Sequence, residues 1–263
     1  MNPATFDTFS IVSHGSSMNA IAYVAAGAGP HPVVVLLHGF PGNEKNLDVA
    51  QAMRRAGYDV VQFYYRGAWG SQGAFSFGNA MEDTASAVAY LRVPENAKRL
   101  RADPDKIVLV GHSMGGWMAL AETAADPKIR AVITISAADI GGEALRVSTS
   151  TKDPVKGLAV SLEQQGLAPL SGCSGASLAA ELIAHDGQWN FSNYAKGIGV
   201  RPALLITSDD GLADPSVALV KTLREAGNTR AHESHLPTDH SYSDKRIALT
   251  DLILQELASL KLQ

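Results

Sequence analysis

The chain has 263 residues, of which 46% are hydrophobic and 18% charged. That is ample apolar material for one core, and far from the composition of disorder. A net charge of -4, with no run of Lys or Arg longer than two, gives nucleic acid no basic surface to hold. No apolar stretch approaches the roughly 18 residues that span a bilayer, and Met1 to Ser10 lacks the basic and apolar regions of a signal peptide.

The expectation is one domain over 1–263 with a small-molecule partner, no nucleic acid and no membrane span. The lone Cys173 excludes an internal disulfide, and no Cys or His cluster has zinc spacing. This leans towards the cytoplasm, although a secreted chain stripped of its signal peptide would read the same way.

In chain order, Ile21 to Val24 is a short strand. Gly27 to Pro32 is a turn into the continuous apolar run Val33 to Leu37, a buried strand. Leu47 to Ala56 is helical and stops at Gly57, and Asp59 to Tyr65 is a second β-rich run. Met81, Thr84, Val88 and Leu91 mark one helix face, followed by a strand at Lys106 to Val110, a helix at Met114 to Ala125 and a strand at Ala131 to Ile135. This alternation predicts an α/β fold with a mostly parallel sheet and helices on both faces. From 137 to 199 the alternation gives way to Gly, Ser and Ala with a few apolar turns such as Leu178 to Ile183, which predicts a small inserted cap. The pattern resumes with a strand at Ala203 to Thr207, a helix at Pro215 to Ala226, a strand at Arg230 to Ser234 and a closing helix at Ser243 to Leu260.

Gly111-His112-Ser113-Met114-Gly115 falls between a strand and a helix, where a serine on a sharp turn exposes its Oγ at a helix N-terminus. A plain structural turn is the competing reading. The near-match Ala74-Phe75-Ser76-Phe77-Gly78 has no strand before it. His38-Gly39-Phe40-Pro41-Gly42 ends another parallel strand on the same sheet edge. The amides of Phe40 and Met114 could therefore serve as paired donors to a developing oxyanion, whereas Pro41 has no N–H to give.

Among the eight histidines, His240 lies in a polar loop after the last strand, the position a general base needs; His232 and His235 are weaker candidates. His38 is expected to brace the oxyanion loop, and His112 to point away from the serine's chemistry. His14, His31 and His185 read as loop or surface residues. The orienting acid should follow the strand Ala203 to Thr207. Asp210 is preferred over Asp209 and Asp214, the last of which could be a helix N-cap beside Pro215.

With these residues in their order, the chain resembles the α/β-hydrolase superfamily along nearly its whole length. Tyr65 to Gly73 resembles, one residue out of step, an Arg-Gly-x-Gly-x-Ser-x-Gly loop of small serine esterases, dienelactone-hydrolase-like proteins and prolyl-oligopeptidase-type peptidases. Thr207-Ser208-Asp209-Asp210 departs from the usual Gly-x-x-Asp of that superfamily. The resemblance implies a carboxylesterase-like serine hydrolase (EC 3.1.1) with no cofactor or metal, acting through an acyl-enzyme on Ser113 with His240 as base. Trp69, Phe75, Leu178 and Trp189 are candidates for the substrate pocket, with packing as the alternative for each. A peptidase or amidase of the same superfamily, or a catalytically silent binding protein on this fold, are the rival readings.

Overall fold

The strand β3 (His31–Leu37) is buried along nearly its whole length, and its side chains divide by parity between the two faces of the sheet. Val33, Val35 and Leu37 enter one apolar cluster; Val34 and Leu36 enter the other. β5 (Ala102–His112) and β7 (Ala203–Thr207) split the same way, which is why these segments read as continuous apolar runs rather than alternating ones. The computed structural model describes residues 2–263.

The eight strands form one sheet in the order β1-β2-β4-β3-β5-β6-β7-β8. β1 (Thr5–Ser13) and β2 (Ser16–Val24) make an antiparallel hairpin, and β2 is antiparallel to β4 (Asp59–Phe63). Every pairing from β4 onward is parallel, including β6 (Ala131–Ile135) and β8 (Ala231–His235). One face is covered by α1 (Leu47–Arg55) and α10 (Arg246–Ser259). The other is covered by α2 (Phe77–Leu91), α4 (Met114–Ala125) and α9 (Ala213–Glu225). The expected α/β-hydrolase architecture is thus present, with a mostly parallel sheet and helices on both sides.

The elements without a counterpart in the sequence reading are β1, the short α3 (Pro94–Leu100) and, within 137–199, the helices at Ile140–Ser150, Pro154–Gln164 and Ala195–Ile198. β1 is an edge strand whose residues stay largely exposed until Ile11, so it lacks an apolar run; its only strong signal is the His14-Gly15 turn, where both residues have positive φ.

Between β6 and β7 lie α5 (Ile140–Ser150), α6 (Pro154–Gln164), α7 (Gly175–Ala184), a 3-10 turn at Phe191–Asn193 and the short α8 (Ala195–Ile198). These form the cap, and α7 docks on α2 through a carboxylate. The Glu181 oxygens accept the amides of Phe77 at 2.8 Å and Gly78 at 3.0 Å, groups that have no partner within their own helix. Ser76, the serine of the near-match, N-caps α2 by accepting the Asn79 amide at 3.0 Å.

Candidate active site

β5 ends at His112 and α4 begins at Met114, so Ser113 carries the whole change of direction, with φ 56° and ψ -120°. Such a backbone is costly for a residue with a Cβ and must be held by its surroundings. Ser113 N–H donates to Ile135 O at 2.9 Å, and Ser113 O accepts from Ala138 N at 3.1 Å, which fixes the turn to the end of β6. The flanking glycines are sterically required. A Cβ on Gly111 would lie 2.0 Å from Gly115 O, and one on Gly115 would lie 2.2 Å from Leu37 O.

The loop after β3 lies directly against this turn, since a Cβ on Gly39 would meet the Ser113 Cβ at 2.9 Å. Phe40 and Met114 line the same cavity as Ser113, and Met114, as the first residue of α4, has an amide with no intrahelical acceptor. His38 braces this loop from within. Its Nδ1 bonds Gly39 O at 2.8 Å, and burial pushes the imidazole down to about 4, so the ring is neutral. Tyr65 Oη donates to His38 O at 3.2 Å, and Trp69 Nε1 donates to Pro41 O at 2.8 Å.

On the other side of Ser113, His240 Nδ1 is 2.7 Å from Asp210 Oδ2. Burial alone would raise the Asp210 carboxyl, but hydrogen bonds from His240, the Leu212 amide and Ser136 outweigh it and hold the group well below the ordinary carboxylate range. His240, Asp210 and Ser113 line one cavity together. His112 lies in the wall beside Ser113, its ring tied to the His240 loop. Its Nε2 is 2.9 Å from His240 O, and burial together with the charge of His240 pushes it down to about 4.

The other acids and histidines are placed differently. Asp209 pairs with His235, Oδ1 to Nε2 at 3.1 Å, and not with His240. Asp214 lies inside the first turn of α9, whose N-cap is Leu212, so it is not the cap residue. His232 lies 3.5 Å from Glu256. His14 lies 3.5 Å from Glu82, and His185 stacks on Trp189.

None of the four pocket candidates lines the cavity in front of Ser113. Trp69 packs behind the loop after β3. Phe75 is buried against the rings of Phe40 and Phe77, at 5.7 and 5.8 Å. Leu178 is enclosed where α7 meets its neighbours, and Trp189 packs on Trp117 at 5.2 Å, its carbonyl accepting from Trp117 Nε1. Large rings were drawn into the cap–core contact, where they remove the most apolar surface from water.

The cavity, about 380 Å³, is lined instead by Phe40, Phe77 and Met114 from the core and by Ile140, Leu158, Leu162 and Leu182 from the cap. The α6 contribution, Leu158, Ser161, Leu162 and Gln165, follows an i, i+3, i+4, i+7 spacing. That face was available in the sequence as helical periodicity. The polar network behind the acid was not: Ser136 Oγ lies 2.9 Å from both Ser208 Oγ and the fully buried Tyr242 Oη, and these three come from separate loops. Among the described residues no three His, Cys, Asp or Glu side chains gather as a metal site would need.

A serine at a strained strand-to-helix turn of a parallel sheet, with its loops on the carboxyl edge, defines a class. The sequence profile of the alpha/beta hydrolase fold family matches residues 32–166, and the chain belongs to that family. A curated relative, the quorum-quenching protein AidA of Acinetobacter baumannii, is 32% identical over 109 residues, 39% of this chain; that match spans 34% of the relative's own length. Among solved structures, the ferulic-acid-bound Est1E of Butyrivibrio proteoclasticus is similar with a TM-score of 0.74 and 18% identity, covering 97% of this chain and 100% of that one. An esterase of Pyrococcus furiosus gives 0.70 and 15%, with 97% and 91% covered. An acylaminoacyl peptidase of Pyrococcus horikoshii gives 0.66 and 17%, with 98% of this chain but 42% of that one covered.

Proposed function

We propose that the protein is a serine hydrolase that cleaves carboxylic esters through an acyl-enzyme on Ser113. The observation that carries this reading is the Asp210–His240 hydrogen bond of 2.7 Å in the wall of a cavity that also contains the strained Ser113. In the reaction, Ser113 Oγ attacks the ester carbonyl carbon while His240 takes its proton. Asp210, fixed by Ser136 and the Leu212 amide, orients the ring and stabilises the imidazolium that forms. The amides of Phe40 and Met114 hold the oxyanion; losing one such donor costs about 3–4 kcal/mol of transition-state stabilisation. Collapse of the tetrahedral intermediate breaks the ester C–O bond, and the departing alkoxide takes the proton from His240. A water deprotonated by His240 then attacks the acyl carbonyl, the acyl C–Oγ bond breaks as His240 returns that proton to Ser113 Oγ, and the carboxylic acid leaves and ionises to solvent. The esterases among the structural neighbours are consistent with this chemistry.

The test is turnover of p-nitrophenyl butyrate at neutral pH by the wild type and by Ser113→Ala. Turnover by the wild type, with at least a ~1,000-fold loss in the variant, is expected. Equal inactivity of both proteins, with no covalent labelling of Ser113 by a fluorophosphonate, would sink the reading in favour of a silent binding fold.

A further inference from the structure

Two cavities meet at Ser113 and His240, and they differ in size and lining. The larger, about 380 Å³ beneath the cap, lies within the roughly 300–1,000 Å³ of small-molecule pockets and is walled by the leucines of α6 and α7 with Phe77. The smaller, about 190 Å³, lies between the loop after β3 and the His240 loop, where Phe40 and His112 stand beside Gly42, Asn43, Glu44 and Ser241. Among the described residues neither is lined by a lysine or arginine, whereas Asp139 and Glu143 stand in the larger and Glu44 in the smaller. Nearby cations are engaged elsewhere. Arg146 bonds Glu143, Lys45 sits 3.6 Å over the Trp69 ring, and Arg246 holds Asp48.

The two halves of an ester make different demands on these spaces. During deacylation the acyl group stays attached to Ser113 while water must reach its carbonyl through the space the alcohol has left. The smaller, less apolar cavity leaves that space to water. The larger, mostly apolar cavity is favoured by each methylene that it takes from water. A carboxylate on either half would enter a wall that carries Asp139, Glu143 and Glu44, where Arg146 is already taken up by Glu143.

Resting on the serine-esterase reading above, we propose that the substrates are uncharged esters of a medium-length apolar acyl group, bound beneath the cap, with a small alcohol, bound in the smaller cavity. Three esters separate the possibilities, with acid release followed in a pH-stat. Ethyl octanoate and octyl acetate have the same composition with the two halves exchanged, and ethyl hydrogen suberate adds a terminal carboxylate to the same acyl length. Ethyl octanoate should exceed each of the others in kcat/KM by about ten-fold or more. Ser161→Trp, a change at an exposed position of α6 that faces the larger cavity, should lower kcat/KM for ethyl octanoate more than for ethyl acetate. Glu143→Gln should narrow the gap between octanoate and suberate. Octyl acetate or the suberate hydrolysed as fast as ethyl octanoate, or no shift of chain-length preference in Ser161→Trp, overturns the proposal while leaving the esterase reading intact. Failure on all three esters while p-nitrophenyl butyrate is still cleaved does the same. Failure on every ester, the activated one included, removes both.

Discussion

Asp209 and Asp210 are neighbours in one loop, and each holds a histidine, yet the two pairs have different surroundings. The Asp210 side chain is 5% exposed and its partner His240 39%; Asp209 is 64% exposed and its partner His235 43%. Asp210 also accepts the Leu212 amide at 2.9 Å and is backed by Ser136, and its histidine lines the cavity of Ser113. The Asp209–His235 pair lines neither cavity at the serine. A charged pair becomes chemically useful when burial removes competing water and a further set of bonds fixes its direction, and only one of these pairs has both.

The largest expected consequence is in activity. Asp210→Asn should lower kcat on p-nitrophenyl butyrate by about 10³–10⁴-fold, because the asparagine would favour the wrong imidazole tautomer and leave the imidazolium unsupported. A fall of less than ten-fold would mean that Asp210 is not the orienting acid. The same pair should shape stability against pH. The folded-state carboxyl of Asp210 lies below its unfolded value, so its contribution is fully present above about pH 4 and is lost as the pH falls towards the folded value. The Tm difference between wild type and Asp210→Asn should therefore be constant near neutrality and narrow under acid. A gap that widens on acidification would contradict the bonding seen around this carboxyl.

How far the sequence reached follows the same division between apolar pattern and polar surroundings. Two buried parallel strands, Ala131–Ile135 and Ala203–Thr207, were legible to the residue because burial on two faces forces unbroken apolar runs, and so was the helix Met114–Ala125; β5, read as Lys106 to Val110, extends over Ala102–His112. Ser113 was legible because its glycines answer to contacts near 2 Å that no Cβ survives. Asp209, Asp210 and Asp214 could be ranked by position but not separated by it, since what distinguishes them is which side chains return from β8 and the loops beyond. The cap misled for a related reason. Trp189 and Leu178 are as apolar as Leu158 and Leu182, and nothing local tells a pocket wall from a packing face.

A smaller effect is expected where the loop after β3 is braced. Trp69→Phe keeps most of the ring but removes the 2.8 Å bond to Pro41 O, an interaction worth about 1 kcal/mol. If the loop presents the Phe40 amide as proposed, loosening it should appear as a several-fold fall in kcat with KM little changed. If KM rises and kcat stays constant, Trp69 acts on substrate binding and the bracing role is wrong.

The smallest effect should come from the second acid–histidine pair. Exposed ion pairs contribute roughly 0.2–1 kcal/mol and are screened by salt. The loop that carries Asp209 is also tied independently of its side chain, through Asp209 N–H to Thr238 O at 3.0 Å. Asp209→Asn should therefore change kcat/KM by less than about two-fold, and raising the ionic strength should remove what difference remains. Because Thr238 lies two residues before His240, a larger loss in Asp209→Asn would show that the exposed pair holds the base loop in register. In that case His235→Gln should reproduce the loss, whereas a catalytic role for Asp209 itself would leave His235→Gln near wild type.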